Sequence, residues 1–326
     1  LHIKHAKGNQ AIYLSGGLDS SLMSYFLQKN SSEKLFTYNL FDDRNSEDKL
    51  YAKKIANQLG TAHIEYETNV DECIKFLPHY IYHYESLVTD GMFNVLGSLA
   101  FHILSSKIGQ KHKVAYCGEG ADELFGGYYW LHAHPLGVGD RLRNKSLKVN
   151  NGNTKINEYI MKYFPNDDSK ESEMRKEIFD FLMGPGITNC HLWSVDRSCS
   201  AFSFEARPLY LYDDVIDWAL EYSICDKISP DLNTKLIMKN YAYKSNNKLF
   251  FEISARKKIG MPSALNISLN KLEKIVGDNY MKNIHNAELP HEKYAAYLTS
   301  NIEKYLFDIY YNIFITNRGK NITDKF

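Results

Sequence analysis

Apolar stretches of strand length alternate with amphipathic stretches of helix length in the N-terminal part of the chain. The strand pattern covers residues 10–15, 34–41, 62–66 and 113–116, and the helical pattern covers 20–29, 47–59, 70–84 and 95–108. In the first helical stretch, Leu22, Tyr25 and Phe26 recur at helical spacing and predict its buried face. This alternation predicts an α/β fold with a parallel, doubly wound sheet and right-handed crossover connections.

The second half of the chain follows a different pattern. Residues 137–157 are polar and rich in Gly, Asn and Lys, which indicates an exposed loop. From residue 158 onward the pattern is mainly helical. The apolar segment 304–315 is shorter than the roughly 20 residues of a membrane span, so it predicts a buried packing helix.

Charge and cysteine usage narrow the class of protein. The chain has 39 Lys and Arg residues and 39 Asp and Glu residues, so its formal net charge is zero. A neutral chain has no long-range field that attracts nucleic acid or an anionic membrane, and we expect neither partner. The five cysteines form no Cys-x-x-Cys pair, which argues against a zinc site. Scattered thiols are typical of a reducing compartment, so we expect a cytoplasmic location.

The string SGGLDSS (15–21) stands where a predicted strand passes into a predicted helix. Backbone N–H groups and the dipole of such a helix N-terminus favour an anion, and glycines let a phosphate approach closely. The lysine of a GxxxxGK[ST] loop is absent, so this is not a Walker loop. On this string alone, a tight turn that needs glycine only for its backbone remains an alternative.

The full string resembles the pyrophosphate-binding loop of the N-type ATP pyrophosphatases. The resemblance implies that the loop holds the pyrophosphate of ATP, which is cleaved between the α and β phosphates. It also implies that the carboxylate of Asp19 binds Mg²⁺; a carboxylate that only interacts with the helix dipole is the structural alternative. The positions that the resemblance assigns to the nucleotide are Leu14, Ser15, Gly16, Gly17, Asp19, Ser20 and Ser21.

A second motif, CGEGADELFGGY (117–128), resembles the SGEGSDELFGGY motif of asparagine synthetases. The resemblance implies that Asp122 is a second Mg²⁺ ligand and that Cys117 and Gly118 contact the nucleotide. It implies that Glu119 takes a proton from incoming ammonia; a solvated loop acid is the structural alternative. Cys117 replaces the serine of the family, and since a thiol is a weaker donor, we expect a weakened nucleotide hydrogen bond there.

Two later blocks extend the resemblance. The segment NTKLIMKNYA (233–242) is similar to the family's K..LR helix, in which Lys235 is expected to neutralise charge on the α phosphate and the departing pyrophosphate. A pair of surface lysines, Lys235 and Lys239, is the structural alternative. The segment RKKIGMP (256–262) is similar to the family's R.K.GF..P pattern and leaves the role of Arg256 open.

The resemblance implies an adenine nucleotide α-hydrolase-like sheet with a mainly helical C-terminal part. We expect a nucleotide-binding core (1–130), a variable insertion (131–190) and a helical part (191–326) that completes the active site. The implied reaction is asparagine synthetase-like: Mg·ATP adenylates a small-molecule or peptide carboxylate, pyrophosphate leaves, and a nitrogen nucleophile forms the amide and releases AMP. The sequence shows no glutaminase half, so the expected nitrogen source is a glutaminase domain or subunit, free ammonia, or another amine.

The substrate pocket leaves alternatives open. Block 196–220 is similar to the family's DR…E.RVPFLD stretch, but Leu209 and Tyr212 replace its Pro and Asp, and extra residues lie between Glu85 and Leu104. A specialised biosynthetic amide ligase, like a β-lactam synthetase or a lasso-peptide cyclase, is therefore the alternative; the β-lactam branch is expected to carry Tyr in place of glutamate in the second motif. Further alternatives are an ATP-binding protein without turnover and a tRNA-modifying enzyme, which the neutral charge disfavours.

Overall fold

The computed structural model describes residues 10–87, 89–90, 93–128, 182–256, 264–277, 298 and 300–320. The loop predicted at 137–157 lies outside these residues, as does most of the insertion predicted at 131–190, so the predicted domain boundaries stay a prediction.

The chain folds into two compact units. The first unit comprises Leu1–Cys117, Trp193–Arg207 and Arg256–Phe326, and the second comprises Gly118–Leu192 and Pro208–Ala255.

The first unit contains an all-parallel sheet of five strands, which confirms the predicted fold class. The strands of the chain are β1 Ala11–Tyr13, β2 Phe36–Phe41, β3 Ala62–Glu67, β4 Thr89–Asp90, β5 Phe93–Asn94, β6 Val114–Cys117 and β7 Glu205–Pro208. The sheet order is β3-β2-β1-β6-β7, while β4 and β5 form a separate antiparallel pair. In the central strand, Ala11 pairs with Phe36 on one side and with Ala115 on the other.

This strand order places a topological switch point directly after β1. The chain continues from β1 to β2 on one side of the central strand, and β6 lies on the other side. In open parallel sheets, ligands bind outside the carboxyl ends of the strands at such a point. The turn that follows β1 therefore occupies the position where this fold class forms its binding crevice.

Twelve α-helices lie in the described part of the chain. They are α1 Leu18–Asn30, α2 Glu47–Leu59, α3 Val70–Tyr84, α4 Leu99–Ile108, α5 Ala121–Phe125, α6 Trp193–Ser200, α7 Asp213–Leu220, α8 Ile224–Lys227, α9 Leu236–Lys244, α10 Lys248–Ala255, α11 Asn266–Ile275 and α12 Asn301–Tyr311. Short 3₁₀ segments cover Val95–Ser98 and Leu209–Leu211, and π-type turns cover Leu182–Leu192 and Asn312–Thr316. None of the described helices has the length and apolar character that a membrane crossing requires.

The core of the first unit packs helices against the buried sheet. Tyr13 stacks on Phe101 with ring centroids 4.2 Å apart, and its hydroxyl lies 2.7 Å from Ser105 Oγ. The predicted C-terminal packing helix is confirmed, because Leu306 of α12 and Ile313 of the following turn are both in this core.

The predicted buried face of α1 is partly wrong. Leu22 is buried as expected, but Phe26 is 43% exposed, while Ser21 and Ser24 are fully buried. The Ser24 hydroxyl donates to the carbonyl of Ser20 at 2.7 Å. This hydrogen bond lets a polar side chain that the hydrophobic pattern predicts to be exposed lie in the interior.

The described part of the second unit is mainly helical, as predicted for the C-terminal part of the chain. It contains α5 and α7–α10. Phe125 at the end of α5 packs 6.1 Å from the rings of both Tyr210 and Trp218.

The strand β7 was not predicted, because residues 158 onward were expected to be helical.

Candidate functional site

The turn after β1 is anchored to the sheet. The N–H of Leu14 donates to the carbonyl of Tyr38 at 2.9 Å, and the carbonyl of Leu14 accepts a bond from the Asn39 side chain at 3.0 Å. Leu14 is 1% exposed. The predicted nucleotide-binding position Leu14 thus holds the base of the turn in place, and the residues after it form the turn itself.

Glycine is required at the first position of the turn. Gly16 has a φ of +83°, and a Cβ at this position would overlap the carbonyl oxygen of Asp48 and lie 2.7 Å from the amide nitrogen of Ala52. Gly17 follows as the N-cap of α1 and gives no side-chain cap to the helix. The first N–H groups of α1 are therefore not satisfied by a capping side chain, which is the arrangement that binds an anion.

Two hydroxyls connect the ends of the turn. Ser15 Oγ lies 2.9 Å from Ser20 Oγ, and the N–H of Gly17 donates to Ser15 Oγ at 3.3 Å. The Ser15 side chain is exposed and the Ser20 side chain is buried. The Ser21 hydroxyl is fully buried and lacks a hydrogen-bond partner within the described residues. Ser15 is therefore the hydroxyl best exposed to a ligand.

The predicted metal-binding residue of the first unit lies in the first turn of α1. Asp19 is half-buried there. At the end of β6, Cys117 is fully buried, and the neighbouring Gly118, which opens the second unit, is half-buried. A carboxylate beside a helix N-terminus offers hard oxygen donors of the type that Mg²⁺ prefers.

An ion pair joins two predicted residues of the second unit. Lys235 Nζ lies 2.5 Å from Asp122 Oδ1, and the two side chains are 7% and 21% exposed. Lys235 is the N-cap of α9 and has a φ of 56°, which is the left-handed region. Non-glycine residues in this region cluster at functional sites, where the surrounding structure holds them.

Gly127 gives this ion pair its space, because a Cβ at this position would overlap Asp122 Oδ1 and Lys235 Cε. Gly120 has a different constraint: its φ is +93°, and a Cβ there would overlap the side chain of Leu211. Close packing against the acid and the lysine therefore requires glycine at position 127, and backbone conformation and packing on Leu211 require it at position 120.

Glu119 and Lys239 lie beside this pair in the chain. Glu119 is half-buried in the loop between β6 and α5. Lys239 is one helical turn after Lys235, and its Nζ lies 2.5 Å from Asn233 Oδ1. Burial, and secondly the charge of Lys235, lowers the pKa of Lys239. The two lysines are therefore not a pair of fully solvated surface charges.

The sequence did not reveal a second polar cluster in this unit. The Tyr128 hydroxyl donates to Glu123 Oε1 at 2.7 Å and lies 3.1 Å from His191 Nε2. Burial raises the pKa of Tyr128 well above its ordinary value, with further contributions from Glu123, Asp122 and Glu119. The phenol stays protonated and serves as a donor to Glu123, which is 3% exposed. Tyr128, the last residue of the second motif, was the one sequence signal for this cluster. Its partner His191 lies 63 residues away in the chain, so the pairing could not be predicted.

Charged residues of block 196–220 form pairs within the first unit. Arg207 Nε donates to Glu205 Oε1 at 2.8 Å on β7. Arg197 lies 3.2 Å from Glu85 and 4.5 Å from the centre of the Trp193 ring. Among the described residues, no three His, Cys, Asp or Glu side chains converge into a metal-binding group. A metal bound here would take part of its ligand shell from substrate, as Mg²⁺ commonly does from phosphates.

A family model described as asparagine synthase matches residues 4–302. Similar curated proteins include asparagine synthetase [glutamine-hydrolyzing] 2 of Oryza sativa subsp. japonica, which is 36% identical over 134 residues, covering 38% of this chain and 22% of the relative. An asparagine synthetase [glutamine-hydrolyzing] of Bos taurus is 37% identical over 128 residues, with coverage of 37% and 22%. The chain therefore matches about a fifth of the length of these relatives.

Proposed function

The chain belongs to the asparagine synthase family, and on that premise we propose that it is an ATP-dependent ligase that adenylates a carboxylate and transfers nitrogen to it. The family supports amide ligase chemistry with ATP. The observation that carries the proposal is the uncapped N-terminus of α1 behind the Gly16–Gly17 turn, at the switch point of the sheet. Such a turn offers donors to a phosphate group.

In the proposed first step, a carboxylate oxygen of the substrate attacks the α phosphorus of ATP. The new O–P bond forms while the bond to the β-phosphate oxygen breaks, and its electron pair leaves with pyrophosphate. The N–H groups of the turn and the Ser15 hydroxyl bind the pyrophosphate in this proposal, and Lys235 offsets the charge that develops on it. Mg²⁺ held by Asp19 and Asp122 would neutralise phosphate charge.

In the proposed second step, a nitrogen lone pair attacks the acyl carbon of the adenylate. The C–N bond forms, the C–O bond to AMP breaks, and the proton released by nitrogen passes to Glu119. The nitrogen comes from ammonia, delivered by a glutaminase domain or subunit or taken from solution, or from another amine. We place this reaction in the cytoplasm, with neither a membrane nor a nucleic acid as partner.

Aspartate is the first candidate substrate, since the curated relatives are named as asparagine synthetases. Two observations favour a second candidate, a specialised amide ligase acting on another small-molecule or peptide carboxylate. The antiparallel pair of β4 and β5 lies within the stretch where extra residues were noted, and Tyr212 is the N-cap of α7 where the family has Asp. A changed pocket would select a different acid while retaining the ATP chemistry.

The experiment that tests the proposal is ATP–pyrophosphate exchange with aspartate and a panel of other carboxylates, with and without ammonium. Exchange with aspartate, followed by asparagine and AMP when ammonium is added, supports the first candidate. Exchange with another acid supports the specialised ligase. Tight ATP binding without exchange across small acids and peptides contradicts the ligase proposal and indicates a nucleotide-binding protein.

A matched pair of variants links the exchange to the proposed site. Asp122→Asn replaces the carboxylate by an amide of nearly the same shape. It should abolish pyrophosphate exchange, because the amide is a poor ligand for Mg²⁺. Asp214→Asn, an exposed acid in the first turn of α7 in the same unit, should leave exchange unchanged. Near-normal exchange in Asp122→Asn would remove Asp122 from the metal site.

A further inference from the structure

Arg256 bridges the predicted phosphate loop and the start of α2. Its Nη1 donates to the carbonyl of Gly16 at 3.0 Å, and its Nη2 donates to Asp48 Oδ1 at 2.7 Å. Its Nε lies 3.5 Å from Glu47 Oε2, and its guanidinium lies 4.4 Å from the centre of the Tyr51 ring. The side chain is 11% exposed. All of these contacts lie within the first unit.

The bond to Gly16 fixes the orientation of the peptide group that follows. The carbonyl of Gly16 and the N–H of Gly17 belong to one planar trans peptide, so they point in opposite directions. With the carbonyl held on Arg256, the N–H is directed to the Ser15 hydroxyl, its 3.3 Å partner. That hydroxyl in turn contacts Ser20. One guanidinium therefore controls the first donor of the turn and the exposed hydroxyl beside it.

The carboxylates around Arg256 argue against direct phosphate binding by this residue. Asp48 and Glu47 both face the guanidinium, and the Tyr51 ring lies over its face. Two acidic groups around one cation leave no net positive charge to attract a phosphate. The planar fork is instead used for two fixed acceptors, the carbonyl of Gly16 and the Asp48 carboxylate.

We infer that Arg256 is the positioning residue of the phosphate loop: it holds Gly16 against α2 so that the turn keeps its anion-binding form before ATP arrives. The inference rests on the proposed function for its effect on ATP, but its structural part concerns the loop alone. Gly16 also lies directly against the backbone of α2 near Ala52, where a Cβ would not fit, so this close contact and the bridge hold the turn against the same helix.

The test compares Arg256→Lys with Arg44→Lys. Lysine keeps the charge but cannot hold two acceptors in one plane. Arg44 also pairs with a carboxylate, that of Glu67 at 2.8 Å, but its side chain is 75% exposed and lies outside the loop contacts. Hydrogen exchange of the peptide covering residues 14–20 should accelerate in Arg256→Lys and stay unchanged in Arg44→Lys. Unchanged exchange in both variants would overturn the inference whether or not the enzyme is active.

A second measurement separates positioning from phosphate contact. With Mg·ATP and with inorganic pyrophosphate as probes, Arg256→Lys should weaken binding by roughly 10- to 100-fold, the effect of losing one hydrogen bond to a charged ligand. Asp48→Asn keeps an acceptor in place while removing a competing charge. If Arg256 touched phosphate, Asp48→Asn would tighten ATP binding, and that result would overturn the inference; unchanged or weaker binding supports it.

These outcomes distinguish the inference from the proposed function. If the wild-type protein binds neither Mg·ATP nor pyrophosphate, the proposed function is contradicted. The hydrogen-exchange rates of the loop in the variants still decide the role of Arg256. If Arg256→Lys does not fold, as judged by circular dichroism, Asp48→Ala supplies the decision, because it removes the second acceptor of the guanidinium and should also accelerate hydrogen exchange in the loop when the bridge holds it. Unchanged hydrogen exchange in that variant would overturn the inference.

Discussion

Replacing Gly127 by alanine tests whether the ion pair between Lys235 and Asp122 is needed for adenylation. The backbone of Gly127 has no positive φ, so alanine fits its conformation. The added methyl group, however, would overlap Asp122 Oδ1 and Lys235 Cε and would lie 2.7 Å from Asp122 Cγ. The N–H of Gly127 also bonds to the backbone carbonyl of Asp122 at 2.7 Å, so the backbone cannot easily move away.

The magnitude follows from the distances. Ordinary contacts of a Cβ begin at 3.4 Å, so the overlapping oxygen of Asp122 must move by more than about 1 Å, and a misplacement of about 1 Å already costs about 100-fold in rate in active sites. Lengthening the 2.5 Å ion pair by as little as about 1 Å weakens its attraction by about 2 kcal/mol at an effective dielectric constant of about 20. Overpacking costs of about 1–3 kcal/mol in stability are typical.

The assay is ATP–pyrophosphate exchange beside thermal unfolding, with Gly277→Ala as the matched control. A Cβ at Gly277 meets no atom of the described residues within 4 Å, and Gly277 lies far from the motif in sequence. We expect exchange to fall by about 100-fold in Gly127→Ala and to be unchanged in the control. Exchange close to the wild-type rate in a folded Gly127→Ala protein would refute the reasoning, because the ion pair would then have no role in adenylation.

Three further outcomes test separate parts of the structure. Glu119→Gln should reduce amide formation more than pyrophosphate exchange, and equal losses in both assays would place its role elsewhere. Tyr128→Phe removes the donor of buried Glu123 and should cost about 1–3 kcal/mol in urea denaturation; an unchanged midpoint would show that His191 or water replaces the phenol. Burial, and secondly His83, lowers the pKa of His79 from 6.5 to about 4. The unfolded chain therefore binds more protons in this range, and stability should fall as the pH drops from 6.5 toward 4. His79→Gln should flatten that part of the pH profile, and an identical profile would contradict the assignment.

The order of strands and helices in the first unit could be predicted, because hydrophobic periodicity and glycine signals are local. Helix α2 shows this clearly: it covers Glu47–Leu59 as predicted and ends at Gly60, whose φ is +71°. Strand β7 could not be predicted, since Glu205–Pro208 shows no apolar alternation and its pairing depends on distant parts of the chain.

The candidate site could be predicted where one short string carries its geometry. The turn after β1 is such a case, because glycine, serine and aspartate act within a few residues. The contact of Arg256 with Gly16 joins residues 240 positions apart, and that of Tyr128 with His191 joins residues 63 apart. No local pattern encodes such pairs, so only the folded chain reveals which charged residue supports which loop.

Gly16 and Lys235 both have a positive φ, but for opposite reasons. At Gly16 the side chain is absent, so the backbone can lie against α2. At Lys235 the same backbone region costs roughly 1–2 kcal/mol for a residue with a Cβ, and glycine or asparagine would begin α9 with less strain. The lysine caps nothing with its side chain, which instead ends on Asp122. The left-handed turn at Lys235 therefore brings an ammonium group onto Asp122, whereas the turn at Gly16 brings a buried backbone against α2.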